Sequence, residues 1–333
     1  MKRMGILVSA WMVAIAAGGG GADAASLTLP SADAPGAETG DLQLAGAQGE
    51  NAPVISSGAD ASGTDTAGSQ DTFLDDWFAR VEQAQSSQPH WMTPLVTVTP
   101  RLEQELRYDQ YWESRGNGSQ LDIFDAGKGL ELIPTDTNEV LINLPAYQDK
   151  ENVAHPVQGW LDDQFLVVKQ RLLSADEQDG NYIVTAFLGV TAPTGYSGFT
   201  NGTWIVTPTL AAGKGWGDFD IQATTGVALP FRNQSTLGTS VATNVAFQYH
   251  LFEYFWPEFE VNSTYWADGK ERGGKTQVLL TPGLILGRFV IHDRIKVIVG
   301  GGYQFAVSPG YVDTTEQTPA YNHSVIVTAR LTF

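Results

Sequence analysis

The sequence contains no cysteine. That absence excludes disulfides, thiolate metal sites and a lipidated N-terminal cysteine. Basic residues are scarce as well: 19 Lys and Arg stand against 37 Asp and Glu, for a formal charge of −18. A nucleic-acid binder needs a basic footprint, so that class is excluded. Long apolar runs are missing. The longest, Met4–Ala17, is short of the ~20 residues a spanning helix requires, so further membrane insertion must use strands. Histidine is rare, and none of His90, His155, His250, His292 and His323 has a serine two positions on. Met92, Val157, Phe252, Arg294 and Val325 stand there instead. A barrel lipid hydrolase would need His and Ser on one strand face at that spacing, so no catalytic residue is predicted. Acid clusters such as Asp75-Asp76 and Asp162-Asp163 lack a ligand cage, and "GKGWG" at Gly213–Gly217 lacks the Ser or Thr of a phosphate loop. No metal or cofactor is predicted.

What is present begins with Lys2 and Arg3, followed by the apolar run and small residues at Ala22-Asp23-Ala24. This is the pattern of a secretory signal cleaved near residue 24. Residues 25–70 are rich in Ala, Gly, Ser and Asp and contain no Lys or Arg. Such a stretch cannot bury enough apolar surface to offset its ordering entropy, which predicts a disordered, acidic periplasmic linker. Residues 71–90 then carry Phe73, Leu74, Trp77, Phe78 and Val81 at helical spacing, which predicts a short amphipathic helix.

From residue 95 to 333 the dominant period is two. Arg101, Glu103, Glu105, Arg107 and Asp109 alternate with Leu102, Leu106 and Tyr108. A sandwich core would not bury such a row of charges, whereas a barrel can turn them into its lumen while the apolar side meets lipid. The same reading places Asp163, Lys169, Arg171, Asp218, Asp220, Glu258, Glu260, Arg294 and Lys296 toward the lumen. Short turns alternate with longer loops, which predicts an all-β fold: an antiparallel transmembrane β-barrel of about 12 strands, with 10 to 14 as the range. Pro208 and Pro282 fall inside proposed strands and are expected at bulges or kinks.

The last strand, "YNHSVIVTARLTF", alternates apolar and polar residues up to Phe333. It resembles the C-terminal targeting strand of Gram-negative outer-membrane proteins, which implies recognition by the barrel-assembly machinery, with Phe333 and Tyr321 near opposite membrane interfaces. A second resemblance covers roughly residues 92–333. "GWLDDQFLVVKQRLL" and "YIVTAFLGVTAPTG" are similar to segments of the outer-membrane family associated with the MetA phenol-degradation pathway. Asp163, Lys169, Arg171 and Leu172 match its first strand, and Pro193, Thr194 and Gly195 match its turn. The resemblance implies an outer-membrane channel or transporter for a small solute, aromatic or otherwise hydrophobic. The alternatives are a structural or partner-binding barrel, or, further off, a lipid hydrolase. The expected partners are the lipid bilayer, the assembly machinery and the solute.

Overall fold

The computed structural model describes residues 67–115, 118–125, 129–143, 146–160, 163–270, 272–309 and 321–333. The expected signal sequence, and the expected linker through residue 66, lie outside the described residues.

Among the described residues, β-segments close into one twelve-strand antiparallel barrel. β1 (Glu105–Ser114) pairs through its first residues with β3 (Gly129–Thr135) and through its last with β2 (Gln120–Phe124). These two segments are therefore one interrupted strand. Asp125 and Gly129 flank the interruption with φ of 58° and 114°, conformations that leave the extended ladder. β4 (Asn138–Ile142) and β5 (Tyr147–Glu151) form the next strand, followed by β6 (Val157–Trp160) with β7 (Asp163–Ala175). Eight uninterrupted strands follow. They are β8 (Tyr182–Ala192), β9 (Ile205–Trp216), β10 (Phe219–Pro230) and β11 (Ser240–Tyr249). After them come β12 (Phe255–Trp266), β13 (Lys275–His292), β14 (Ile295–Ser308) and β15 (His323–Thr332). β15 returns to β1, from Glu105 opposite Thr332 to Ser114 opposite His323, which closes the barrel.

Alternation sorts each strand between two environments. On β15, Val325, Val327 and Leu331 face outward, while Ser324, Ile326, Thr328 and Arg330 are buried inside. Leu106, Leu188, Leu210, Phe259, Leu284 and Val299 continue the apolar exterior. Aromatics rim both ends: Tyr182, Trp216, Tyr249 and Phe255 near the short turns, and Trp112, Trp160, Trp204 and Tyr303 toward the loops. An apolar belt between aromatic girdles is the surface that lipid requires. No described helix is long and apolar enough to cross a membrane.

Several expectations change. The first strand begins at Glu105 rather than residue 100, so Arg101 and Glu103 belong to the segment entering the wall. Pro208 and Pro282 stay in register opposite Leu188 and Phe259, each giving up one ladder hydrogen bond. On β13 the irregularities lie instead at Val278/Leu279, Gly287/Phe289 and Val290/His292. Asp218 and Arg294 occupy exposed short turns, because β10 and β14 begin one residue later than the charge pattern suggested, at Phe219 and Ile295. Tyr321 is buried rather than interfacial: it precedes β15, packs against Leu279 and donates its hydroxyl to Gln304.

Candidate functional site

The lumen holds a stretch of the same chain. Helix α1 (Ala67–Ser86) lies at the short-turn end. Residues 87–104 then run inside the barrel, nearly all buried, before the chain joins the wall at β1. Pro89, Pro94 and Pro100 punctuate this segment. With three missing N–H groups and fixed φ angles it can neither continue the helix nor pair as a strand. Its remaining backbone groups still need partners once buried, and the barrel wall supplies them with side chains.

The donors and acceptors divide by side. Glu258 Oε1 accepts from the Leu95 N–H at 3.0 Å. Glu260 accepts from the N–H groups of Val96 at 2.7 Å and Thr97 at 2.6 Å, and from the Thr97 hydroxyl. Both carboxylates stand on β12. Across the lumen, Arg330 donates to the carbonyls of Thr93 and Pro94, the latter at 2.9 Å. Arg107 donates to the Leu95 carbonyl at 2.6 Å and pairs with Asp109 at 2.8 Å. Gln222 reaches the Met92 carbonyl at 2.8 Å and accepts from Thr99 at 2.7 Å. Further along, Lys169 and Thr185 donate to the carbonyls of Arg101 and Pro100. Lys169 is itself held between Glu139, at 2.8 Å, and Glu131, at 3.6 Å.

Apolar sockets complete the fit. Trp91, Met92, Leu95 and Val96 pack against Ile183, Trp256, Ile285, Ile298 and Ile326, inward-facing apolar residues of the wall. A Cβ added to Gly283 or Gly302 would come within 2.5 or 2.7 Å of the Leu95 side chain. One added to Gly213 would collide with the Trp91 ring. These glycines leave room for the segment, not for a turn or a phosphate.

The helix fastens the segment at the short-turn end. Val81 and Ala84 pack on Leu102 and Ile133. Arg80 reaches the Pro134 carbonyl at 2.9 Å, and Arg171 the Ala84 carbonyl at 2.6 Å. Cationic groups on a helix's last carbonyls are favourable. Arg294, exposed in its turn, pairs with Glu82 at 2.8 Å and lies over Phe78. A latch joins the segment to the β7–β8 turn: Glu177 accepts from the His90 N–H at 2.6 Å and contacts its ring Nδ1 at 2.9 Å.

Burial pulls the Glu177 carboxyl upward, but the hydrogen bonds from His90 outweigh it and hold it below its ordinary value of 4.5. A lowered carboxylate pKa contributes stability that is present above the ordinary value and lost as pH falls through the depressed one. Glu177→Gln is therefore expected to hold the segment less firmly than the parent at pH 6. The two are expected to converge once pH falls below that depressed value, as read from the maleimide labelling rate of a Met92→Cys thiol in the segment.

Of the predicted lumen residues, Arg101, Glu103, Glu105, Arg107, Asp109, Lys169, Arg171, Asp220, Glu258 and Glu260 are buried inside. Lys296 shares the inward side of β14 with Ile298 and is half-buried. Asp163 opens β7, and its side chain lies outside the described residues. Phe333 donates its backbone N–H to Gln104 at 3.2 Å. Sequence reasoning missed Glu131 and Glu139, whose strands are too short to display a period. It also missed Arg288, which a bulge turns inward. The repeated prolines between apolar residues were the available sign of the lumen segment.

Residues 151–318, just over half of the 333, match the family described as "Putative MetA-pathway of phenol degradation". The chain belongs to this family. The family match contains both resembling segments, from Gly159 to Gly195. Solved structures similar to the chain include an outer-membrane channel from Pseudomonas putida F1, at 14% identity and a TM-score of 0.45, over 69% of this chain and 94% of that one. The NanC porin is similar at 8% identity and 0.43, over 68% and 98% of the two chains. The KdgM porin, in complex with disordered oligogalacturonate, stands at 8% and 0.39, over 68% and 99%. No curated protein matches the chain in sequence.

Proposed function

We propose that this protein is an outer-membrane channel for small solutes, held shut by its own residues 87–104. One observation carries the reading. The polar groups of the lumen wall are satisfied by the backbone of a segment that belongs to no strand, so the filling is separable from the barrel. A barrel meant only to be rigid can be filled by its wall side chains alone. Here wall glycines stand back to admit Trp91 and Leu95. The apolar belt and the export signal read at the N-terminus support outer-membrane placement. The family description, with its reference to phenol degradation, supports an aromatic solute.

The test compares the full chain with a variant lacking residues 67–97, in planar bilayers and in solute-loaded liposomes. The full chain is expected to conduct rarely, and the deleted barrel to conduct steadily and pass solute. Equal conductance overturns the closure by residues 87–104, and a folded deletion variant impermeable to ions and solute overturns the channel.

A further inference from the structure

The segment's grip on the wall near Trp91 has a specific chemistry. The indole ring occupies the space above Gly213 and Gly215 on β9 and belongs to a cluster with Ile183. The carbonyl of the same residue receives Arg288 Nη2 at 2.7 Å and a second donor, Arg101. Arg101 is paired with Glu103 at 2.9 Å. Arg288 differs: among the described residues its hydrogen-bond partner is the Trp91 carbonyl, and no carboxylate stands within ion-pairing distance.

The wall also distorts itself to present Arg288. The β13–β14 register shifts between Gly287 and Phe289, and Arg288 has a φ of 38°. A bulge re-aims a side chain across the sheet, and a non-glycine residue at positive φ is strained. The bulge places a guanidinium with no carboxylate in direct ion-pair contact beside an aromatic socket, just inside the short-turn mouth, with Glu103, Glu105 and Glu177 further off. Arginine is the side chain best suited to grip a carboxylate by two parallel hydrogen bonds.

We propose that this socket is the solute's seat, that Trp91 occupies it as an internal mimic, and that the solute is a small arylalkanoic acid. The proposal rests on the channel reading above and names its substrate class. In a tryptophan residue, two carbons separate the ring from the carbonyl, the spacing of a 3-arylpropanoate. Such an acid would set its ring over Gly213 and Gly215 and give Arg288 a carboxylate in place of a neutral carbonyl, a stronger acceptor. The buried Trp91 Nε1 has no acceptor, and neither has the Oδ1 of Asn181, also beside Gly215, any donor. The ring N–H of Trp91 makes no hydrogen bond in this socket, so a phenyl ring, which lacks one, forfeits none. Because the mimic is part of the chain, it competes at high effective concentration, and the acid gains the seat only as the segment leaves it.

The experiment uses the full chain in detergent and titrates 3-phenylpropionate calorimetrically. Trp91→Ala empties the socket and is expected to bind the acid at least tenfold more tightly than the parent. 3-Phenylpropanol, with the same ring and no charge, is expected to bind at least tenfold more weakly than the acid. In the Trp91→Ala background, Arg288→Gln is expected to lose at least tenfold in affinity, and Arg288→Lys, which keeps the charge but not the two parallel hydrogen bonds, to fall between the two. Retained heat-modifiable migration establishes that each variant is folded. Folded Trp91→Ala that binds no acid, equal binding of acid and alcohol, or indifference to Arg288→Gln each overturns the seat. Binding by Trp91→Ala supports the seat whatever the conductance of the deletion variant, and a conducting deletion barrel without such binding refutes the seat while the channel stands.

Discussion

Glu260→Ala is expected to raise the open probability of the channel by a factor of roughly a hundred to ten thousand. Glu260 accepts two backbone N–H groups and one hydroxyl from the lumen segment while fully buried. Removing the carboxylate leaves three donors without an acceptor in the closed state. Each orphaned buried donor costs about 1–3 kcal/mol, and all three recover water when the segment leaves. Because the three donors are neighbours, two of them on Thr97, their costs do not add in full, and the closed state is penalised by roughly 3–6 kcal/mol relative to the open one. Glu260→Gln keeps one oxygen and is expected to fall between the two. Planar-bilayer recordings measure the effect. The absence of cysteine offers an independent readout, because Met92→Cys would carry the chain's sole thiol at a fully buried position of the segment. In the Glu260→Ala background that thiol should react readily with a water-soluble maleimide. A protected thiol together with an unchanged open probability would show that Glu260 does not hold the segment.

Lys169→Met is expected to destabilise the barrel itself. The ammonium lies between Glu139 and Glu131, donates to the Arg101 carbonyl and sits over the Phe187 ring, with no exposure to solvent. Methionine preserves much of the volume but strands two carboxylates in a buried site. Breaking a buried ion pair by removing one partner costs about 3–5 kcal/mol, because the surviving charge stays desolvated. The transition temperature, read from heat-modifiable migration, should therefore fall. Adding Glu131→Gln and Glu139→Gln should recover most of the loss. If the triple variant is no more stable than Lys169→Met, packing around Phe187 rather than charge accounts for the effect.

The wall was legible in the sequence because its physics is local. On β15, residues two apart meet the same solvent, so Val325, Val327 and Leu331 announce lipid while Thr328 and Arg330 announce the interior. The charged row from Glu105 to Asp109 likewise declares an interior that is not a hydrocarbon core. Even Ile326, the apolar residue on the polar side of that strand, was visible as an exception. Its reason was not: it packs with Ile298 and Ile285 in the cluster that also holds Leu95 and Trp91.

The sequence by itself determined the export signal pattern, the strand rhythm, the strand number to within two and which side of most strands turns inward, since each depends on neighbours a few residues apart. Only the tertiary structure decided what fills the lumen. Glu260 and Thr97 are 163 residues apart, and Arg330 and Thr93 are 237 apart. They meet because closing β15 on β1 converts twelve local alternations into one enclosed volume. Once buried there, the backbone of a proline-broken segment has no strand or helix to satisfy it. Partnership with the wall's carboxylates and guanidinium groups is what remains, and that requirement turns a row of inward charges into the fastening of a plug.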